Sequence, residues 1–294
     1  MKVIVASEAG FCYGVKRATK AAFEAAASAA GPVYTLGELI HNPQVVARLE
    51  EVGVRAARDV ADVGAATVII RSHGLPPAAV EALTAQGARV LDLTCPTVKA
   101  VQQRAGALAA EGYKVIIVGD RDHPEVEAIA GCAGPAAIIV NSEEEAAAVP
   151  CADKIGVVMQ TTHMAAACLR IVAALLDKAP EVRIFNTLCD ATARSQKAAL
   201  RLAAEVDVMV VVGGRNSANT GRLAEICRAS GAETHHVETA SELRAEWLEG
   251  VAAVGVTAGT STPDWLIEEV VAKLSAWSAE SDDVARRRRT RSHN

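Results

Sequence analysis

The stretch Gly10-Phe-Cys-Tyr-Gly-Val15 follows a short apolar run and leads directly into a helical pattern. Its cysteine, Cys12, has two counterparts in the same local setting. Cys95 and Cys189 each end a strand-like run, and each is followed by a helical pattern. A thiol between a strand and a helix therefore recurs three times, which makes these cysteines the reference points of the chain.

Two polar loops follow each cysteine at similar distances. The first lies 29, 28 and 28 residues after the cysteine, and the second 61, 67 and 72 residues after it. The first loops contain His41, His123 and Ser217, and the second contain His73, Thr162 and Ser261. Each loop is preceded by a short apolar run and followed by a helical pattern, an order typical of parallel sheets. What repeats is the order of strands and helices, and the repeating unit is too long for that of a solenoid protein.

The sequence therefore predicts an α/β fold of three pseudo-symmetric small α/β units with mostly parallel sheets. Their expected bounds are 1–95, with Cys12 at the start, then 96–188 and 189–280. The basic segment 281–294 is expected to be a disordered tail. Because any α/β chain alternates strands and helices, chance agreement of the spacings is the alternative interpretation.

Composition narrows the class of protein. The chain has 294 residues, of which 51% are hydrophobic, so it can bury a sizeable core. Its net charge of -5 does not indicate a nucleic-acid or anionic-membrane partner. The apolar run at the N-terminus is too short for a signal peptide, so a cytoplasmic protein is expected. Seven cysteines in that compartment favour metal binding, catalysis or buried packing over disulfides.

The three cysteines are candidate metal ligands. Ligands of open parallel sheets bind outside the carboxyl ends of the strands, and three units facing one another would bring one thiol each to a closed pocket. The chain has no Cys-x-x-Cys pair of the kind usual in zinc sites. Three thiolates suit an iron-sulfur cluster with one open iron, whereas a simple electron carrier is normally held by four. Three buried structural thiols remain the alternative.

The polar loops are candidates for anion binding. They offer histidines, small hydroxyl groups and the segment Asn216-Ser-Ala-Asn-Thr220, which leads into a helix. Such groups donate hydrogen bonds to phosphate or diphosphate at a helix N-terminus. A single serine-rich turn is more often a helix cap, so the interpretation depends on several such loops lying on one face.

Glu125 follows His123-Pro124 at the start of a helical pattern. An acidic residue in the first turn stabilises a helix through its dipole, which is a sufficient explanation for most such residues. Inside a dry pocket the same carboxyl group could carry a proton for catalysis. The sequence leaves both interpretations open.

Nine short motifs together resemble the LytB family of 4-hydroxy-3-methylbut-2-enyl diphosphate reductases, over residues 2 to 277. They are Gly-Phe-Cys-x-Gly-Val (10–15), Ile-His-Asn-Pro (40–43), Ser-His-Gly (72–74), Thr-Cys-Pro (94–96), His-Pro-Glu-Val-Glu (123–127), Gln-Thr-Thr (160–162), Cys-x-Ala-Thr (189–192), Asn-Ser-x-Asn (216–219) and Thr-Ala-Gly-x-Ser (257–261). The resemblance implies reductive removal of the substrate hydroxyl, the last step of the non-mevalonate isoprenoid route. The products would be isopentenyl and dimethylallyl diphosphates.

The resemblance also implies the site. Cys12, Cys95 and Cys189 would hold one 4Fe-4S cluster at the centre of the three units, and its open iron would take the substrate hydroxyl. Glu125 would deliver a proton, and Thr161 would position that carboxyl and the hydroxyl. The diphosphate would be held by His41, His73, His123, Ser217, Ala218, Asn219 and Ser261. Ala218 replaces a second serine of some members, so only its backbone could contact phosphate. Reduced ferredoxin or flavodoxin would supply electrons.

Two other functions fit the same residues. A non-redox hydro-lyase could use the open iron as a Lewis acid, and a cluster-based redox carrier or sensor would need no diphosphate site. The other four cysteines lie outside the repeat positions and are interpreted as packing or exposed thiols: Cys132, Cys151, Cys168 and Cys227.

Overall fold

A computed structural model describes residues 1–291 of the chain, and the side chains of residues 1–279. Within these residues there are three four-stranded sheets, and every pair of neighbouring strands runs parallel. Helices connect successive strands, as parallel pairing requires. The predicted α/β class is confirmed.

The strands and helices follow the apolar runs closely. The strands are β1 Lys2–Val5, β2 Val33–Leu36, β3 Val54–Ala57, β4 Thr67–Ile70, β5 Arg89–Asp92, β6 Lys114–Val118, β7 Ile138–Val140, β8 Lys154–Met159, β9 Glu181–Ile184, β10 Val208–Val212, β11 Glu233–Val237 and β12 Ala253–Ala258. The helices are α1 Tyr13–Ser28, α2 Pro43–Glu51, α3 Pro77–Ala85, α4 Pro96–Ala110, α5 Pro124–Ala133, α6 Glu143–Ala147, α7 Ala165–Ala173, α8 Asp190–Ala203, α9 Ala218–Ala229 and α10 Asp264–Arg291. Proline begins several of them, since it needs no amide partner there.

The three sheets have equivalent strand orders: β3-β2-β4-β5, β7-β6-β8-β9 and β11-β10-β12-β1. In the first two sheets the connections from the two central strands, for example β6 and β8, lead toward opposite edges of the sheet. Ligands of open α/β sheets bind in the crevice at this switch point, beyond the carboxyl ends of the strands. The polar loops predicted from the sequence follow these central strands.

Each of the three cysteines follows an edge strand of its sheet and is tied to the neighbouring strand by its backbone. The N–H of Cys12 donates to the Thr260 carbonyl at 3.2 Å, that of Cys95 to Ser72 at 2.9 Å and that of Cys189 to Thr161 at 2.8 Å. The same hydrogen bond therefore fixes all three cysteine backbones against a polar loop of the same sheet.

The N-terminal strand lies in a different sheet from the other strands of residues 1–95. β1 pairs with β12, with Val3 opposite Val254, and so completes the third sheet rather than the sheet within 1–95. Each sheet thus ends on a cysteine strand, and the last of these strands comes from the N-terminus. The apolar run that forms β1 specifies a strand but not its partner, which is why the sequence did not assign it.

Contacts within the chain divide it into two compact units. Unit 1 comprises Met1–Cys12, His41–Pro43 and the chain from Asp190, and it contains the sheet of β1 and β10–β12. Unit 2 comprises Tyr13–Ile40 and Gln44–Cys189, with the other two sheets. In each unit the apolar strands are buried between helices. The predicted three-way boundaries at 95/96 and 188/189 stay a prediction.

Two further differences concern segments that have weak local signals. β3 was not predicted from the sequence, because Val54-Arg-Ala-Ala lacks a continuous apolar run; as an edge strand it needs only one neighbour. α10 continues to Arg291, through most of the segment predicted to be disordered. Arginine and alanine favour helix strongly. Residues 292–294 lie outside the described residues. None of the described helices is long and apolar enough to cross a membrane.

Candidate active site

Unit 2 holds a buried carboxyl group at the switch point between β6 and β8. Glu125, in the first turn of α5, is only 2% exposed. Its Oε1 accepts the backbone N–H of Thr161 at 2.6 Å, and its Oε2 accepts the Thr161 hydroxyl at 2.8 Å. Both carboxylate oxygens are therefore fixed by one residue of the neighbouring loop. An acidic residue that served only the helix dipole would point to solvent instead.

His123 orients this helix start. It is the N-cap of α5, and its Nδ1 accepts the backbone N–H of Glu125 at 3.1 Å. An imidazole that accepts at Nδ1 carries its hydrogen on Nε2 when neutral, so the ring presents a donor at that atom. The ring of His73, from the loop after β4, lies edge-on to it with centroids 5.5 Å apart. Two predicted anion ligands are thus neighbours within unit 2.

Buried polar contacts join the loops at each switch point of unit 2. Gln160 is fully buried; its side-chain carbonyl accepts the Asp120 N–H at 2.9 Å and its amide donates to the Thr162 hydroxyl at 3.3 Å. In the other sheet the Ser72 hydroxyl donates to the Leu39 carbonyl at 3.2 Å. These contacts fix the loops that carry Glu125, Thr161 and His73, so their side chains sit on a rigid frame.

Unit 1 gathers hydroxyl and amide groups at the switch point between β10 and β12. Ser217 is the N-cap of α9, and its Oγ accepts the Thr220 N–H at 3.3 Å. The Ser261 hydroxyl lies 3.5 Å from that Oγ and donates to the His41 carbonyl at 3.1 Å. Asn219 donates to the Thr260 hydroxyl at 3.3 Å.

These side chains form a cluster of hydrogen-bonding groups at a helix N-terminus. Ser217, Asn219 and Ser261 are all buried, and Asn219 Oδ1 is a buried atom with no hydrogen-bond partner among the described residues. Ala218 is the first residue of α9 and has no polar side-chain atom, so only its backbone could contact an anion. Small donors and a positive helix end suit a multiply charged phosphate group.

Glycine is needed on the two sides of Cys12 for different physical reasons. Gly10 adopts φ +100°, which a side chain would strain. Gly14 instead makes room: a Cβ there would lie 2.7 Å from the Sγ of Cys95, within unit 2. The first turn of α1 therefore packs directly on the Cys95 thiol. Cys95 and Cys189 are half-buried, as is Cys12 in unit 1.

Charged side chains support the frame of unit 2. The Arg17 guanidinium donates to the carbonyls of Thr94 at 2.7 Å and Leu93 at 3.3 Å, and so fixes the segment before Cys95. Burial lowers the pKa of Arg71, beside Ser72, although the carboxylates of Glu127 and Glu38 oppose this effect. Arginine still stays charged at neutral pH.

Asp92 lies at the end of the strand that leads to Cys95. Its partial burial would raise the pKa, but hydrogen bonds from Lys99 and Thr94 outweigh burial and hold the pKa of this carboxyl below its ordinary value. The group is therefore ionised at neutral pH and compensates the charge of Lys99.

The other cysteines lie away from the strand ends. Cys168 and Cys227 are buried in α7 and α9, Cys132 is half-buried in α5, and Cys151 is exposed. Burial raises the pKa of Cys227 to about 11 and also raises the pKa of Cys132. These environments agree with the predicted packing and surface roles.

The structure thus brings the predicted residues together in two sets, one in each unit. Unit 2 joins His73, His123, Glu125 and Thr161, and unit 1 joins Ser217, Asn219, Ser261 and the backbone of His41. Sequence reasoning gave no role to Gln160, Arg17 or Thr260. Gln160 stood inside a quoted motif, whereas a lone arginine in a helix and a loop threonine carry no local signal.

Comparisons with known proteins identify the family of this chain. A family model described as "LytB protein" matches residues 3–275. A Geobacter sulfurreducens protein named 4-hydroxy-3-methylbut-2-enyl diphosphate reductase is 51% identical over 274 residues, which cover 93% of this chain and 97% of that protein. A Geotalea uraniireducens protein with the same name is 50% identical over 93% of this chain and 97% of that protein.

Two solved structures are also similar. One is of (E)-4-hydroxy-3-methyl-but-2-enyl diphosphate reductase, described as the terminal enzyme of the non-mevalonate pathway; it is 44% identical, with a TM-score of 0.70, and the match covers 94% of this chain and 100% of that one. The other is E-1-hydroxy-2-methyl-but-2-enyl-4-diphosphate reductase from Plasmodium falciparum, which is 26% identical, with a TM-score of 0.88. The match covers 92% of this chain and 87% of that one. The membership predicted from nine motifs is confirmed: the chain belongs to the LytB family.

Proposed function

We propose that this chain is a 4-hydroxy-3-methylbut-2-enyl diphosphate reductase. It removes the hydroxyl group of the (E)-allylic diphosphate as water and forms isopentenyl and dimethylallyl diphosphates, the last step of the non-mevalonate isoprenoid route. The observation that carries the proposal is the buried Glu125 carboxyl group with both oxygens fixed by Thr161. This carboxyl group can hold a proton, and it lies beside side chains that suit a diphosphate.

The residues present fit an iron-sulfur cluster. Cys12, Cys95 and Cys189 would hold one 4Fe-4S cluster, since each follows an edge strand and has its backbone fixed in the same way. Gly14 leaves the space that the Cys95 Sγ occupies, so the glycine lets this thiol keep its position against α1. When bound, the cluster supplies the electrons that the reduction consumes.

The diphosphate end of the substrate would be bound by hydroxyl, amide and imidazole donors. Ser217, Asn219 and Ser261 contribute from unit 1, together with the N-terminus of α9. His41, His73 and His123 would complete the set. Diphosphate carries several negative charges, and the helix dipole together with several hydrogen-bond donors would stabilise them.

Glu125 and Thr161 would move the proton that converts the hydroxyl into leaving water. In the ionised state the Thr161 hydroxyl donates to Oε2 of Glu125. When Oε2 carries a proton, this hydrogen bond reverses, and Thr161 can give its own hydrogen to the substrate oxygen. The fixed geometry lets one proton pass through two oxygen atoms without side-chain rearrangement.

Electrons would come from reduced ferredoxin or flavodoxin. Each product requires two electrons and two protons and releases one water, so a carrier that gives one electron acts twice. The cytoplasm is the expected compartment, because its reducing conditions keep thiols available to a cluster.

The decisive experiment is an assay after anaerobic reconstitution with iron and sulfide. The allylic diphosphate is incubated with the loaded protein, with and without reduced methyl viologen, and the products are identified by mass spectrometry. We expect consumption only with the donor. Consumption without a donor would instead indicate a hydro-lyase, and none in either case would favour a redox carrier and contradict the proposal.

Substitution Glu125→Gln tests the proton role. It keeps the volume of the side chain and removes its ionisable group, so we expect turnover to fall roughly 100- to 10,000-fold with iron content unchanged. Glu127→Gln is the matched control, since that glutamate lies on the same helix but is exposed. Equal turnover in the two variants would contradict the role of Glu125.

A further inference from the structure

A basic face with an exposed aromatic ring lies on the first half of α1, in unit 2. Tyr13, Lys16 and Lys20 follow one another at spacings of three and four residues, so they share one side of the helix. Tyr13 is 77% exposed, and the Lys20 side chain is also 77% exposed. Tyrosine is enriched at protein interfaces, and exposed lysine ammonium groups attract acidic partners.

The face extends onto the start of α4. Arg17 of α1 and Lys99 and Gln103 of α4 line a shared cavity of about 310 Å³. Its floor includes Thr94, whose carbonyl accepts the Arg17 guanidinium at 2.7 Å. Basic side chains therefore continue from α1 to the start of α4, next to the segment that ends in Cys95.

This surface is close to a proposed cluster ligand. A Cβ on Gly14 would lie 2.7 Å from the Cys95 Sγ, so the first turn of α1 touches the thiol directly. Lys16 follows two residues later on the same helix and is exposed. A protein bound against Tyr13 and Lys16 would lie across α1 from Cys95, and a helix with its side chains is about 10 Å wide.

The local charge is opposite in sign to that of the whole chain. The face has four basic residues, Lys16, Arg17, Lys20 and Lys99, against two acidic ones, Asp92 and Glu24. Asp92 pairs with Lys99, and Glu24 lies 3.6 Å from Lys20. The remaining excess is positive, whereas the chain carries a net charge of -5. Such a local field attracts and orients an acidic partner.

We propose that this face, formed by Tyr13, Lys16, Arg17, Lys20 and Lys99, docks a small acidic one-electron carrier protein. The inference rests on the proposed function. In each cycle two reduced carriers dock in turn and each is oxidised by one electron. With two protons, these electrons replace the carbon–oxygen bond of the substrate by a carbon–hydrogen bond and release one water.

The test uses the double variant Lys16→Glu/Lys20→Glu of the reconstituted protein, with reduced ferredoxin as the probe. The matched control is Lys197→Glu/Arg201→Glu, which makes the same change of charge at the same spacing on exposed positions of α8. We expect kcat/KM for ferredoxin to fall at least about 10-fold at low salt in the first variant. The control should stay within about 2-fold, and added salt should narrow the difference.

Two further measurements make the outcomes distinct. Turnover with reduced methyl viologen should be equal in wild type and both variants, which also shows that they fold and hold the cluster. Absence of that turnover in the wild type would contradict the proposed function alone, because ferredoxin binding measured by calorimetry needs no turnover. Unchanged ferredoxin affinity and kcat/KM in Lys16→Glu/Lys20→Glu, or equal losses in the control, would overturn the docking proposal.

Discussion

Cys95 and Cys227 are both cysteines of parallel α/β units, yet their surroundings differ in every respect that matters to a thiol. Cys95 is half-buried between an edge strand and α4, with its backbone fixed to a polar loop and a glycine opposite its Sγ. Cys227 lies inside α9, fully buried against Leu223 and Ala224, and burial raises its pKa to about 11. The first position leaves the sulfur accessible to a ligand, and the second uses it as a small apolar group.

The comparison shows that place in the layered fold decides what a cysteine can do. The carboxyl end of a strand opens onto the crevice where ligands bind, whereas the inner face of a helix is closed by the sheet. The same distinction separates Cys189 from Cys168, which is buried in the core of its sheet with Ile171. Each prediction below tests this distinction at one thiol or at a residue next to it.

The largest effect is expected for Cys95→Ser. Loss of a ligand thiolate should lower the iron content after reconstitution and reduce turnover at least about 100-fold, more than loss of a residue that supports a ligand. Cys132→Ser is the control, and it should keep iron and turnover within about 2-fold. Similar losses of iron and turnover in both variants would mean that the place of a thiol in the fold does not decide its role.

A smaller effect is expected for Gly14→Ala. The added methyl group would lie 2.7 Å from the Cys95 Sγ and displace it, so we expect iron affinity to fall roughly 10-fold. Gly221→Ala is the control, because nothing lies within 4 Å of a Cβ there. Both changes favour helix, so the melting temperature should not fall with iron affinity. Normal iron binding by the Gly14→Ala variant would show that Gly14 does not make room for a ligand.

The buried thiol of Cys227 should make the free energy of unfolding depend on pH. Its pKa of about 11 in the folded protein exceeds that of an unfolded thiol, so its contribution is fully present below about pH 8.5. It is lost as pH rises toward 11, because the unfolded chain ionises first. We expect the free energy of unfolding, measured in urea at pH 8 and 10.5, to fall by about 1–2 kcal/mol more in wild type than in Cys227→Ala. An identical pH dependence in both would contradict the buried neutral thiol.

The smallest effect is expected at Cys151. This exposed thiol should react with iodoacetamide before Cys168, which is 1% exposed, and its modification should leave turnover unchanged. Mass spectrometry of peptides at increasing reaction times follows the order. Faster labelling of Cys168 would show that its core opens more readily than its packing implies.

Much of the candidate site could be predicted because its signals are local. Runs such as Lys114–Val118 and the prolines that begin α4 and α5 specify a strand or a helix start within a few residues. Cysteines and polar loops at strand ends are visible in the same way. β3 was not predicted, because Val54-Arg-Ala-Ala has no apolar periodicity. The extent of α10 to Arg291 was not predicted either, because the expectation for that segment was drawn from charge alone.

The sequence by itself determined the order of strands and helices, the three cysteines at strand ends and the membership of the LytB family, since all of these are written in short segments. Only the tertiary structure decided that β1 completes the third sheet and that both carboxylate oxygens of Glu125 accept hydrogen bonds from Thr161, 36 residues away. It also decided that Gly14 faces the Cys95 thiol. The physical reason is that parallel strands pair across long connections, so the partner of a strand or of a carboxyl group depends on the packing of the whole sheet.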